Sequence, residues 1–236
     1  MIRFVEETGS TNADLASALR SDAKPAEGDW LVAKRQTAGK GRQGREWFDG
    51  SGNFMGSCVV SMKPGDPPPA SLSFVAAMAV HDAAAQPLPN TSKLKLKWPN
   101  DVVLDGGKLS GILLELVGNT IVVGIGVNLT KAPDLPDRKT MALSEIAGPI
   151  ELSGFAETLA ASFAYWLEQW RGKGLEPLLS RFLERSIHAS GSSVTVHDTD
   201  GTYITGTFAG LDESDGALRL RLADGSERAI RAGDLA

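Results

Sequence analysis

Hydrophobic positions recur along the chain with two different periods, and the changes of period divide it into predicted elements. Apolar and polar residues alternate in segments that predict β-strands, at 54–60, 93–98, 108–117 and 119–129. Apolar residues recur at helical spacing in segments that predict α-helices, at about 11–20, 71–85, 155–170 and 176–187. The turn Asp105-Gly106-Gly107 joins two of the strands as a hairpin.

The pattern changes from about Gly191, where short apolar stretches are separated by turns rich in Asp and Gly. These turns lie at 198–201, 212–216 and 223–226. Short, closely spaced strands with such turns predict a small β-barrel. We therefore expect two domains, residues 1–189 and 190–236, with a hinge near Ala189 to Gly191.

The segment Gln36–Trp47 places glycines and fixed positive charges together. Its glycines, at 39, 41 and 44, allow backbone conformations closed to other residues and a close approach of a ligand. Its cations, Lys40, Arg42 and Arg45, bring charge-assisted donors to the same place. The segment therefore predicts a loop that binds a phosphate or a carboxylate, although a solvated basic loop would have the same composition.

Two common phosphate motifs match this loop only formally. Gly39-x-Gly41-x-x-Gly44 has the spacing of the dinucleotide fingerprint, but a strand-like segment and not a helix follows it. A Walker A box needs Lys followed by Ser or Thr, where this chain has Arg45 and Glu46. A kinase-type glycine-rich loop fits better, yet no His-Arg-Asp or Asp-Phe-Gly segment follows.

The run Ser10-Thr11-Asn12 stands at the predicted start of the first helix. Ser, Thr and Asn are all preferred N-cap residues, but capping uses only one of the three. The remaining hydroxyl and amide groups can offer donors and acceptors to a neutral polar ligand such as a urea.

The segment Lys93–Asp101 ends a predicted strand with an unusual turn. Pro99 removes a backbone donor, so we expect the strand to stop and to expose the oxygens of Asn100 and Asp101. Such a pair would suit Mg²⁺, which takes few protein oxygens. A plain Asn-Asp turn is the alternative.

The hairpin that follows carries a lysine on a row of apolar residues. Strict alternation puts Lys108 and Ser110 on the same strand face as Ile112, Leu114 and Leu116. Lys108 could be a solvated residue near the turn. If the row lines a pocket, its charge could neutralise a carboxylate and then a reacting phosphate.

The next strand has glycines at alternate positions. Gly124 and Gly126 would form a flat patch against which a planar ring could lie, with Asn128 on the same face. Strand glycines also mark simple bulges.

Composition narrows the classes of protein. The chain has 236 residues, a formal net charge of −5 and one cysteine, Cys58. The acidic balance disfavours general nucleic-acid binding, and a single cysteine excludes a disulfide framework. No signal peptide or membrane-spanning run is evident, so a cytoplasmic location and no membrane partner are expected.

Taken in order, these motifs resemble those of the biotin protein ligase family (biotin–[acetyl-CoA-carboxylase] ligases). The resemblance covers nearly the whole chain. It is carried by the segments 9–12, 36–47, 97–101, 107–111 and 124–128. Lys40 departs from the family loop, which usually has arginine there, so the planar fork that grips an anion is lost at this position.

The resemblance implies an α+β fold of the class II synthetase-like kind, with a mixed or antiparallel sheet flanked by helices and an SH3-like C-terminal β-barrel. It implies a ligase that uses ATP and Mg²⁺ to convert biotin to biotinyl-5′-AMP, and then transfers biotin to a lysine of a biotin carboxyl carrier protein. The motifs begin almost at Met1, so we expect the short form without an N-terminal DNA-binding domain. A homodimer is possible.

The resemblance also implies roles for single residues. Ser10, Thr11, Asn12, Gln36, Lys40, Gly41, Arg42 and Lys108 would bind biotin, and Lys108 and Arg42 would be catalytic. Arg45, Trp47, Asn100 and Asn128 would bind ATP, Asn100 and Asp101 would hold Mg²⁺, and Trp98 would be a packing wall. Two alternatives stay open: a lipoate or octanoate ligase of the same fold, and a non-catalytic biotin- or nucleotide-binding module.

Overall fold

The computed structural model of the protein describes residues 1–21, 25–197 and 201–235. Seven strands form one sheet: β1 (Ile2–Val5), β2 (Trp30–Ala33), β3 (Phe54–Ser61), β4 (Leu94–Lys97), β5 (Asp101–Leu104), β6 (Gly107–Val117) and β7 (Thr120–Val127). Their order is β1-β2-β3-β7-β6-β5-β4. Strands β1 and β2 are parallel and all other neighbours are antiparallel, so the expected mixed sheet is confirmed.

Helices cover both faces of this sheet. They are α1 (Thr11–Leu19), α2 (Leu72–Ala85), α3 (Ser144–Ala147), α4 (Leu152–Lys173) and α5 (Leu175–Glu184). Helices α2 and α4 enclose the main core, which includes Phe54 and Ile125 of the sheet. Helix α1 packs on the opposite face, where Leu15 contacts a smaller cluster with Leu31 and Val122. Within the described ranges, none of the helices combines the length and the apolar character needed to cross a membrane.

The last predicted helix is shorter than expected. It ends at Glu184 and not near Ile187. The backbone after it turns to pair with β4: Leu96 N donates to Arg185 O at 2.9 Å and Ile187 N donates to Leu96 O at 2.9 Å. Pairing with the sheet edge therefore replaces the last helical turn.

The prediction that Lys108 shares a face with Ser110 and Ile112 is wrong. The β5–β6 register shifts here, because Val102 pairs with Ser110 while Val103 pairs with Lys108, which leaves Leu109 as an extra residue. A β-bulge of this kind reverses the alternation on one side of it. Ile112 therefore points into the main core, whereas Lys108 points to the opposite face, the one that carries α1.

The C-terminal region forms a second, antiparallel sheet. Its strands are β8 (Ser193–His197), β9 (Tyr203–Leu211), β10 (Leu218–Arg221), β11 (Glu227–Ile230) and β12 (Asp234–Leu235), in the order β11-β10-β9-β8-β12. The predicted small β-structure is thus confirmed. Residues 198–200 of the turn predicted at 198–201 lie outside the described residues.

The second sheet packs directly on the first domain. Trp98 Nε1 donates to Gly216 O at 3.1 Å, and the ring of Phe74 lies so close to Gly216 that a Cβ there would come within 2.4 Å of it. The loop around Gly216 in the C-terminal region is therefore held against Trp98, which directly follows β4.

Candidate active site

The N-terminus of α1 forms one end of the site. Ser10 caps the helix, which leaves Thr11 and Asn12 free for other contacts although they are only 3% and 5% exposed. Thr11 N and Thr11 Oγ1 lie 2.7 and 3.0 Å from Gln36 Oε1. Thr11 Oγ1 also lies 2.7 Å from Ser57 Oγ, which donates to Asn12 Oδ1 at 2.6 Å. These buried polar side chains form one hydrogen-bonded network.

Gln36 reaches this network because the chain after β2 runs alongside the segment before α1. Thr37 N donates to Thr8 O at 2.9 Å and Ala38 N donates to Gly9 O at 2.8 Å. Asp49 Oδ1 accepts from Gln36 N at 3.1 Å. The structure therefore brings Gln36 together with Thr11 and Asn12 in one network, next to the capping residue Ser10.

Ser57 is a member of this network that sequence reasoning missed. It is fully buried in β3, opposite Gly124 of β7. A hydroxyl inside an otherwise apolar strand is the only local signal for it. The hydroxyl alone does not predict a pocket. Its role becomes clear only from the strand pairing, which shows that Ser57 faces α1.

The glycines of β7 form a flat surface beneath two side chains. A Cβ on Gly124 would lie 2.3 Å from Asn12 Oδ1, and a Cβ on Gly126 would lie 2.2 Å from Trp47 Cε2. Gly111 of β6 is opposite Gly126, and a Cβ there would lie 3.0 Å from Trp47 Cζ3. The indole of Trp47 therefore lies against the backbone of two neighbouring strands, in contacts that only glycine permits.

The glycine-rich loop is a tight hairpin. Gly41 N donates to Arg45 O at 2.7 Å and Trp47 N donates to Gly39 O at 3.0 Å. At its tip, Gln43 and Gly44 adopt φ angles of 57° and 73°, in the left-handed region. Gln43 is a residue that tolerates this region poorly, and glycine tolerates it well.

The cations of the loop point in different directions. Arg42 Nη1 donates to Asn100 Oδ1 at 2.8 Å and Nη2 donates to Gly233 O at 3.2 Å. Arg45 Nη2 donates to Gln43 Oε1 at 2.6 Å, and Lys40 is exposed. The structure thus brings Arg42 to Asn100, between β4 and β5, and leaves Lys40 at the surface of the loop.

Lys108 lies beside the indole of Trp47. Its Nζ is 2.7 Å from Asp101 Oδ1, and both side chains are about one-fifth exposed, at 23% and 21%. A Cβ on Gly111 would lie 3.4 Å from Lys108 Nζ. The β6 bulge therefore places this ammonium group on the glycine face, at the opposite end from the Thr11 network.

Besides Asp101 Oδ1, which is held only as an ion pair with Lys108, two buried polar atoms at this end have no hydrogen-bond partner among the described residues. They are Trp47 Nε1, a donor, and Asn128 Oδ1, an acceptor. Asn128 is only 2% exposed, and its Nδ2 donates to Lys108 O at 3.3 Å. Buried polar atoms usually have partners, so these two are suited to bind a ligand.

The proposed magnesium ligands do not fit a metal held by the protein. Asn100 Oδ1 accepts from Arg42, Asn100 Nδ2 donates to Ile112 O at 2.8 Å, and the Asp101 carboxylate is paired with Lys108. Asn100 Oδ1 therefore faces the guanidinium group of Arg42, and Asp101 Oδ1 faces the ammonium group of Lys108. Among the described residues, no group of three or more His, Cys, Asp and Glu side chains is placed to hold a metal ion.

Two other residues that the sequence singled out lie in the core of the protein and not in the site. Trp98, expected as a packing wall of the site, lies in the main core and is 3% exposed. Cys58 is fully buried, and burial raises the pKa of its thiol well above the ordinary value. The cysteine is therefore a neutral core residue and not a nucleophile.

Fold and site together define a protein that can bind a small molecule with a neutral polar end and an anionic end on a glycine-lined sheet face. Residues 4–130 match the model of the biotin/lipoate A/B protein ligase family, and residues 189–235 match that of the biotin protein ligase C-terminal domain. The chain belongs to the biotin/lipoate A/B protein ligase family. The expected class of fold, including the SH3-like C-terminal domain, is thereby confirmed.

Individual relatives cover nearly the whole chain. A biotin–[acetyl-CoA-carboxylase] ligase of Paracoccus denitrificans is 39% identical over 92% of this chain and 93% of its own length. One of Mycobacterium tuberculosis is 34% identical over 98% and 86%. A solved structure, the biotin protein ligase of Aquifex aeolicus in complex with biotin and ATP, superposes with a TM-score of 0.85 at 26% identity and covers 100% of this chain and 97% of the other.

Proposed function

We propose that this protein activates biotin with ATP and attaches it to a lysine of a biotin carboxyl carrier protein, the domain that carries biotin in acetyl-CoA carboxylase or a related carboxylase. In the first step a biotin carboxylate oxygen bonds to the α-phosphorus of ATP, and pyrophosphate leaves with the bonding electrons. In the second step the carrier lysine amine attacks the carbonyl carbon of biotinyl-5′-AMP, and AMP leaves. The names of the relatives and the family membership support this reaction.

One observation about the site carries the proposal. The hydrogen-bonding network around Thr11 and the ammonium group of Lys108 lie at opposite ends of the same glycine-lined face. Biotin has a neutral cyclic urea at one end and a carboxylate at the other, so it matches both ends. The polar end would bind the urea through Ser10, Thr11, Asn12 and Gln36, and Ser57 extends this set.

The cationic end would bind the carboxylate and the phosphates. In this proposal Lys40, Gly41 and Arg42 cover the carboxylate, and Lys108 and Arg42 act as catalytic residues that neutralise the charge on the reacting groups. Neither reaction step needs a nucleophile from the protein, which agrees with the buried, neutral Cys58. Catalysis would consist of alignment, charge neutralisation and exclusion of water from the adenylate.

ATP would bind on the Trp47 side of the site. Trp47 Nε1 is a donor and Asn128 Oδ1 an acceptor, neither of which has a partner among the described residues, and an adenine ring carries both kinds of group. Arg45 would contact the phosphates, and Asn100 would hold Arg42 in position. Magnesium would enter with the ATP phosphates, because the oxygens of Asn100 and Asp101 are already paired with cations.

Other expectations remain part of the proposal. They are the division into domains at 189/190, a cytoplasmic location, the lack of nucleic-acid partners and a possible homodimer. The net charge of −5 supports the expectation about nucleic acid.

The first experiment is to measure pyrophosphate release from ATP and Mg²⁺ with biotin, lipoate or octanoate offered separately and without carrier protein. Release with biotin alone is expected, because only biotin has donors and acceptors for the Thr11 network. Release with lipoate or octanoate instead would assign the protein to the lipoate branch of the family. No release, from folded protein that still binds biotin, would favour a binding module.

A further inference from the structure

Glu115 closes the polar network at the end far from Gln36. Asn12 is held from two sides: its Oδ1 accepts from Ser57 Oγ at 2.6 Å, and its Nδ2 donates to Glu115 Oε2 at 2.6 Å. Below the amide, a Cβ on Gly124 would lie 2.3 Å from Asn12 Oδ1. The amide therefore lies flat against the strand, and a half-turn that exchanges its oxygen and nitrogen is its main alternative.

Glu115 excludes that alternative. An ionised carboxylate can only accept hydrogen bonds, so it requires the Nδ2 side of Asn12. A half-turn of the amide would place Oδ1 against the carboxylate, with lone pairs facing lone pairs. In that arrangement Ser57 would face the Nδ2 hydrogens of Asn12, to which a hydroxyl cannot donate, so both bonds of Asn12 would be lost or reversed.

The fixed amide determines the direction of the bonds beyond it. Ser57 has one hydroxyl proton, which it gives to Asn12 Oδ1, so toward Thr11 Oγ1, 2.7 Å away, it can only accept. The single hydroxyl proton of Thr11 is therefore shared between Ser57 Oγ and Gln36 Oε1, which lies 3.0 Å from Thr11 Oγ1. Thr11 N donates to Gln36 Oε1 at 2.7 Å, so the Nε2 side of Gln36 is directed elsewhere, toward Gly39. The donors of Ser57 and Asn12 therefore point the same way, from Ser57 to Asn12 and from Asn12 to Glu115.

We propose that Glu115 is a positioning residue that orders the donors and acceptors of the head-group pocket and so selects a cyclic urea. A urea presents one carbonyl between two N–H groups, and it binds well only where acceptors and donors are fixed in a complementary order. Dithiolane and alkyl ends have no such groups. This inference rests on the proposed function, and Glu115 acts through Asn12 without touching the ligand.

The test compares Glu115→Met and Glu115→Gln in the pyrophosphate assay. Methionine keeps the length of the side chain but removes the acceptor, so the KM for biotin should rise about tenfold, or about 1.4 kcal/mol, as expected for one charge-assisted hydrogen bond. Glutamine can accept but no longer forbids the half-turn, so a smaller rise is expected. The KM for ATP, and kcat at saturating biotin, should change less than about twofold.

Two controls separate positioning from a general loss of structure. Glu157→Met removes the same charge from the exposed surface of α4 and should leave the KM for biotin unchanged. In an Asn12→Ala background, Glu115→Met should have little further effect, because the residue through which it acts is gone.

Three outcomes would overturn the inference. They are an unchanged KM for biotin in Glu115→Met, an equal rise in the KM for biotin and for ATP together with a lower Tm, or additive effects with Asn12→Ala. Failure of the proposed function would look different, because the unmodified protein would then release no pyrophosphate with biotin.

Discussion

At the scale of single residues, the cations of the site are held by partners on the protein. Lys108 is paired with Asp101, and Arg42 donates to a side-chain oxygen of Asn100 and a backbone oxygen of Gly233. These contacts hold each charged group in place before an anion arrives. Electrostatic stabilisation is most effective when the donors need little reorganisation during the reaction.

Replacing Lys108 with methionine should therefore impair adenylation more than stability. The side chain keeps its length, but the positive charge beside Gly111 is lost, and kcat for pyrophosphate release should fall by about 10²-fold or more. Lys93→Met is a matched control, because Lys93 also pairs with an aspartate, Asp105, but at an exposed site. Near-normal release from Lys108→Met would contradict a role for this charge in the reaction.

At the scale of elements, pairing between strands decides which predictions succeed. The hairpin of β6 and β7 follows from its turn residues and its alternation, and both are visible in the sequence. The bulge at Leu109 is not visible there, because it depends on how β5 pairs with β6. Ser57 and Glu115 were missed for the same reason: their faces are set by strand register, which no local pattern encodes.

The glycine face of β6 and β7 gives a prediction at this scale. In Gly126→Ala the new Cβ would meet the Trp47 ring at 2.2 Å, and the ring must move because the strand backbone cannot. Trp47 lies on a loop, so the movement should cost little stability, but the KM for ATP should rise by about tenfold.

Gly172→Ala on α4 is the control for this substitution. Its Cβ would meet nothing within 4 Å, so KM values should not change and the helix should be stabilised by about 0.5–1 kcal/mol. A large fall in Tm for Gly126→Ala with unchanged KM values would show that the glycine serves packing and not the ligand site.

At the scale of the whole molecule, the C-terminal domain belongs to the surroundings of the site. Gly233 O accepts from Arg42, a residue 191 positions earlier in the chain, and Gly216 O accepts from Trp98. The sequence predicted the two domains. It gave no sign of these contacts, because both acceptors are backbone carbonyls, which every residue has. The glycine-rich loop is thus supported from both domains.

A histidine at the junction of the two domains should make the stability of the protein depend on pH. His188 lies between α5 and β8, with its ring 6.3 Å from that of Phe208, and its buried Nε2 has no hydrogen-bond partner among the described residues. Burial, and secondarily the charge of Lys97, lowers the pKa of His188 from its ordinary value of 6.5. The folded protein therefore resists protonation of this ring at a pH where the unfolded chain accepts it.

The sign of the effect follows from proton binding. As the pH falls through 6.5, the unfolded chain binds a proton at His188 that the folded protein does not, so the unfolded state gains stability. The contribution of neutral His188 is complete above this pH and is lost as the pH falls toward the lowered pKa of the folded state.

His188→Phe should keep the aromatic contact and lose less stability between pH 7.5 and pH 5.5 than the unmodified protein, as measured by urea unfolding. Between pH 8 and pH 7 the two proteins should change in parallel, and parallel curves at acid pH as well would show that His188 stays equally accessible to protons in both states.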